Sequence, residues 1–179
     1  MKKIVFVAAF VLITASLFGC TKNNTKPTAS TAPEATQTTH AVQATAKPKK
    51  TDIDISELGN KLNELISSDD PLPLEKDAIA DDLYLEESDI ADCFGAITFT
   101  GSFPGKIIII KAIDGDALER INAKLNEKLD DVLVQSKDYD AENYALAQTC
   151  KVITEGNYTA LFIHARHAEM EKLFEESFN

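Results

Sequence analysis

A chain of 179 residues has room for one domain plus extensions, and an apolar content of 44% is enough to build a core without metals or disulfides. Charge is uneven along it. Up to Lys50 seven lysines face a single acid, Glu34, for a net +6, so the total of −11 leaves −17 on residues 51–179. Such an acidic segment excludes nucleic acid as a partner, because phosphate binding needs a basic face; it suits cationic ligands, cationic partners or simple solubility.

The N-terminus reads as a bacterial signal peptide over residues 1–19. Lys2 and Lys3 form its basic start, and Ile4 to Phe18 an apolar run shorter than the ~20 residues of a spanning helix. The run ends in Leu17-Phe18-Gly19-Cys20, which resembles the bacterial lipobox. That resemblance implies a thioether-linked diacylglyceryl group on Cys20 and cleavage between Gly19 and Cys20. The small Gly19 exposes the scissile bond, and a thiol is the nucleophile that can be alkylated. Two acyl chains anchor stably where one does not. The expected location is therefore the extracytoplasmic face of a cell membrane. An ordinary signal peptide with a coincidental cysteine is the plainer alternative.

Residues 20–50 are rich in Thr, Ala, Lys and Pro, with no aromatic residue and Val42 as the only branched aliphatic. Such a segment cannot bury enough apolar area to offset its ordering entropy, and it reads as a flexible tether. Its lysines suit anionic headgroups, whereas the acidic residues 51–179 are repelled by them.

The domain proper is expected over 51–179. Ser56 is a candidate N-cap for a helix carrying Leu58, Leu62, Leu65 and Ile66 at helical spacing, which Asp70-Pro71 stops. A weaker helical stretch covers Glu75 to Leu83, and a polar patch, Glu86 to Asp89, precedes the first strand. Cys93 to Ser102 alternates as a strand, with Ile97, Phe99 and Phe103 opposite Thr98, Thr100 and Ser102. Pro104-Gly105 supplies a turn into Lys106–Ile113, where Ile107 to Ile110 are apolar on both faces and predict an interior strand. Asp116 and Glu119 have capping-box spacing at the start of a long helix striped by Leu118, Ile121, Leu125, Leu129, Val132 and Leu133. A second hairpin, Thr149–Thr154 and Tyr158–Ala165, flanks Gly156-Asn157, and a last helix runs from His167 to Ser177 with Met170, Leu173 and Phe174 inward. The expected fold is α+β, in the order α-ββ-α-ββ-α, with a four-stranded, mainly antiparallel sheet and helices on one face. The repeated ββα order and the Ile-Thr pairs at 97–98 and 153–154 raise a distant internal duplication.

Asp81-Asp82-Leu83-Tyr84, Lys111-Ala112-Ile113-Asp114 and Glu155-Gly156-Asn157-Tyr158 give residues 51–178 a recognisable texture. In it the chain resembles small Gram-positive (Firmicutes) lipoproteins with a domain of unknown function (DUF4358-like). The resemblance implies location and fold; it brings no activity, cofactor or site residue. Cys93 and Cys150 fall outside its pattern.

Chemistry-bearing residues are sparse. His164 and His167 are spaced for two imidazoles on one helix, but His164 falls in the predicted strand and no third metal ligand is evident. The acidic pairs at 69–70, 81–82, 86–87 and 130–131 lack the alternating acids of a calcium loop. No nucleophile elbow, phosphate loop or Cys-x-x-Cys occurs. With Cys20 consumed by lipid, Cys93 and Cys150 remain. Joined, they would close a loop worth about 2–4 kcal/mol; unjoined, they serve as small hydrophobes.

The expected function is a non-enzymatic binding or accessory module outside the cytoplasm. The membrane is its partner through Cys20, an envelope protein a further one, and no cofactor is called for. An envelope enzyme or inhibitor with an unrecognised site, or a small atypical solute-binding protein, are the alternatives.

Overall fold

The computed structural model describes residues 50–99 and 104–179. Gly19, Cys20, the tether up to residue 49 and the strand end expected at 100–103 lie outside the described residues.

Helix α1 (Ile55–Leu65) starts one residue before the expected cap. Asp54 caps it instead of Ser56, its carboxylate accepting from Glu57 N at 3.0 Å. Leu58 and Leu62 line the buried face. A short 3-10 turn, Ser67–Asp69, leads to β1 (Leu72–Pro73) and then to α2 (Lys76–Leu83). The central hairpin is β2 (Ile90–Thr98) and β3 (Gly105–Ala112). Helix α3 (Gly115–Ser136) is capped by Asp114, which accepts from Ala117 N at 2.8 Å, so the cap again precedes the expected residue, Asp116. Helix α4 (Ala141–Ala147) follows, then β4 (Val152–Glu155), β5 (Tyr158–Ile163) and α5 (His167–Ser177). The β4–β5 turn places Gly156 at φ 58°, a left-handed conformation that glycine adopts without a Cβ penalty.

The fold is α+β with an antiparallel sheet, but the sheet has five strands, not four, in the order β1-β2-β3-β5-β4. The added strand is two residues long, with Leu72 opposite Ile97 and Pro73 opposite Ala96. Pro73 is tolerated there because β1 is an edge strand, where a missing N–H costs no ladder bond. Strand β3 lies between β2 and β5, as its four isoleucines require: each of Ile107 to Ile110 is 0% exposed.

Those isoleucines also correct the expectation of helices on one face. Ile107 and Ile109 pack with α1 and α5, and Ile108 and Ile110 pack with α2, α3 and α4. Helices therefore cover both sides of the sheet. On the first side Tyr158, Phe174 and Phe178 stack edge to face, with centroids 5.4 and 5.2 Å apart. Gly59 lets α1 settle on β2, since a Cβ there would lie 2.4 Å from the Phe94 ring. Strands β3 and β4 both run antiparallel to β5 and hence parallel to each other, so α3 and α4 form a crossover on the second side. A duplication would put α3 and α5 on the same face, since a two-fold between β3 and β5 keeps faces. They lie on opposite faces, so the two ββα units are not symmetric copies.

The chain enters the domain beside its C-terminus. Lys50 N donates to Phe178 O at 2.6 Å. Asp52 is held by Tyr158 Oη and by Lys111 Nζ, the latter at 2.7 Å, and these bonds keep its carboxyl below the usual range.

Candidate functional site

Helix α2 ends in a Schellman motif. Leu85 N donates to Ala80 O at 2.9 Å and Tyr84 N to Asp81 O at 3.3 Å. The residue between helix and loop must then be left-handed, and Tyr84 takes φ 53°, ψ 46°. Glycine or asparagine is usual at this position; a Cβ there costs roughly 1–2 kcal/mol. The Tyr84 ring does not recover that cost by burial, since the residue is 83% exposed. Its one ring contact among the described residues is Lys124, whose Nζ lies 5.9 Å from the ring centroid.

Tyr84 stands at the mouth of an open cleft of about 430 Å³ between the α2–β2 connection and α3. Leu85, Glu86 and Asp89 form one wall, and Arg120, Ala123 and Lys124 the other. The α3 residues fall on one face through their helical spacing of three and four, and the small Ala123 leaves the space open. The walls are joined by a bidentate pair. Arg120 Nε and Nη2 donate to Asp89 at 2.8 and 2.7 Å. Asp89 is buried, and these bonds hold its carboxyl below the usual carboxylate range. Ile113 N donates to Asp89 O at 3.1 Å, which ties this wall to the end of the sheet.

A second ionic cluster lies nearby on the same side. Asp82 accepts from Lys106 at 2.5 Å and Lys128 at 3.2 Å, linking α2 to β3 and α3. Burial pushes its pKa up, but the two ammonium groups outweigh this and leave it lowered.

The remaining chemistry is tied up structurally. His164 Nδ1 accepts from Arg166 N at 3.1 Å, and its Nε2 meets Asp69 at 3.0 Å. His167 lies between Thr149 Oγ1 and Glu171 Oε1, each at 3.0 Å. The two imidazoles thus serve different partners. Thr149 Oγ1 also donates to Leu146 O at 2.7 Å, closing the last turn of α4, so its proton points away from the imidazole. Among the described residues no group of three or more His, Cys, Asp or Glu is placed to hold a metal.

Cys93 and Cys150 are both free. Their proposed bond required neighbouring strands, and β2 and β4 are separated by β3 and β5. Register adds a second displacement: Cys93 pairs with Ile110, Ile110 with Thr159 and Thr159 with Thr154, four residues beyond Cys150. Three strand spacings of about 4.8 Å alone exceed the reach of a disulfide. Burial pushes both thiols up to about 11, so they act as small hydrophobes.

In the sequence Tyr84 stands out only as family texture and Glu86–Asp89 only as a polar patch. The readable signal was an aromatic residue directly after the last apolar position of α2, where a helix stop usually carries glycine. The Asp89–Arg120 pair joins residues 31 apart in sequence, and no local pattern announces it.

A family model described as a domain of unknown function (DUF4358) matches residues 65–164, which include both walls of the cleft; Glu171 lies outside the match. No curated protein and no solved structure matches the chain. The matched segment is more than half of the chain, and the chain belongs to the DUF4358 family.

Proposed function

We propose that the chain is a lipoprotein of the small Gram-positive kind, anchored through lipid on Cys20 to the outer face of the cell membrane. Its acidic head then serves as a non-enzymatic binding or accessory module. Support for the anchor comes from Leu17-Phe18-Gly19-Cys20 behind a basic start and an apolar run. The contrast between +6 up to Lys50 and −17 beyond it supports a head held off the membrane by a tether. No helix among the described residues is long and apolar enough to cross a membrane.

The binding role rests on Tyr84. A large aromatic residue occupies a left-handed position that glycine would fill at lower cost, yet 83% of it faces solvent. Strain that the domain does not recover internally points to a contact made outside it. The adjoining cleft gives that contact an apolar floor. The binding reading is preferred to an enzyme because the hydroxyl, imidazole and carboxylate of Thr149, His167 and Glu171 are engaged in closing α4 and bracing α5.

Two experiments test this. Metabolic labelling with an alkyne fatty acid should mark the wild-type chain and not Cys20→Ala, which should leave the membrane fraction; equal labelling would reject the anchor. Co-purification from detergent-solubilised membranes should recover a partner with the wild type and lose it with Tyr84→Ala. Recovery of a solitary monomer in both cases would reject the binding role.

A further inference from the structure

Four ionic groups line the cleft: Glu86, Asp89, Arg120 and Lys124. Arg120 is neutralised by the bidentate bonds to Asp89, and Lys124 by Glu127 at 2.8 Å. Glu86 is exposed; its backbone carbonyl accepts from Asp89 N at 2.9 Å, but its carboxylate has no ionic or hydrogen-bond partner among the described residues. The unbalanced charge on the cleft wall is therefore negative. It stands two residues from an exposed aromatic ring, and an aromatic face beside a carboxylate attracts alkylammonium and guanidinium groups. Lys124 already places an ammonium 5.9 Å from that ring, so the ring stands where a cation can reach it. The net −17 of residues 51–179 attracts a basic partner and repels an acidic one.

We propose that the cleft receives a lysine or arginine side chain from a basic segment of a partner protein. The aliphatic stem lies against Leu85 and Ala123, and the charged head sits between the Tyr84 ring and Glu86. The inference rests on the cleft being the binding site, and names its ligand. Lys124 competes for the ring as an internal cation.

The test is titration of the full chain, held in non-ionic detergent, with three labelled dodecapeptides that alternate alanine with lysine, norleucine or glutamate. The lysine peptide should bind and shift the backbone amides of Leu85 and Ala123. Glu86→Gln and Tyr84→Ala should each weaken it about fivefold, as expected for one lost cation contact of about 1 kcal/mol. Lys124→Gln, which removes the competing cation, should strengthen it, whereas an anionic ligand would be weakened by the same change. Glu142→Gln, an equal loss of charge on α4, should leave the affinity unchanged. Equal binding of the norleucine peptide with the same amide shifts would overturn the cation while leaving the cleft as the binding site. Preference for the glutamate peptide, or equal weakening by Glu142→Gln, would also overturn it. Absence of cleft shifts with all three peptides would overturn both the ligand and the site.

Discussion

The two faces of the sheet are built from one strand of four isoleucines but put to different use. The face under α1 and α5 is closed by Tyr158, Phe162, Phe174 and Phe178, each 1% exposed, and its ion pairs include Asp52 with Lys111 at the rim and the buried His164 with Asp69, which follows α1. The face under α2, α3 and α4 carries the Asp82 and Asp89 ion pairs, both thiols, the strained Tyr84 and the open cleft. The first face is closed by aromatic rings; the second leaves ion pairs and the left-handed Tyr84 beside an open surface. Under the binding role proposed above, stability falls chiefly to the first and recognition to the second.

The largest expected effect breaks the sealed face. Phe174→Ala removes a fully buried ring from the aromatic cluster and should cost about 3–5 kcal/mol, read as a lowered denaturant midpoint. The polar face should give less to a comparable change. Asp82→Ala leaves the half-buried ammonium groups of Lys106 and Lys128 without their acceptor and should cost about 1–3 kcal/mol in the same assay. A larger loss from Asp82→Ala than from Phe174→Ala would invert the comparison.

Acid should reach both faces, but from different starting points. Asp82 and Asp89 both lie below the ordinary carboxyl value of 3.8 in the folded protein. Each depressed group contributes stability that is fully present above 3.8 and lost as pH falls through its lowered folded value. In α5 Glu169 is held below its ordinary value of 4.5 by Arg166, and Glu171, which burial raises, is brought below it by His167 and Lys151, so their contribution begins to fall at a higher pH. As pH is lowered, amide exchange in α5 should therefore accelerate before exchange in α3, once the intrinsic pH dependence is divided out. Equal acceleration in both helices would contradict this. The thiols give a smaller signal: Cys93 and Cys150 should resist alkylation at neutral pH and both react after denaturation without reductant. A chain with neither thiol reactive under those conditions would restore the disulfide.

Much of this division was hidden in the sequence for physical reasons. The run Ile107–Ile110 announces burial on both sides, and β3 is indeed interior; the one-face architecture overlooked what that run demands, which is a helical layer on each side. Strand β1 has two residues and one of them is proline, so neither alternation nor propensity marks it; its pairing with β2 creates it. Helix α4 is only seven residues long and is organised by Asp140, which accepts from Asn143 N at 3.0 Å. The hairpin turn at Gly156 and the span of α5 were legible, because a left-handed turn and an amphipathic stripe are local properties. The cleft was not, because its walls come from segments some thirty residues apart and its strain lies in a backbone angle that residue identity only hints at.

The central claim is that Tyr84 is retained for a contact outside the domain at a cost to the fold. Tyr84→Gly tests it in one protein with two readouts, unfolding free energy and affinity for the lysine dodecapeptide. Relief of the left-handed strain should raise stability by up to about 1 kcal/mol, while loss of the ring weakens binding about fivefold. A variant that is less stable than the wild type and binds equally well would contradict the account, because Tyr84 would then be a structural residue of α2.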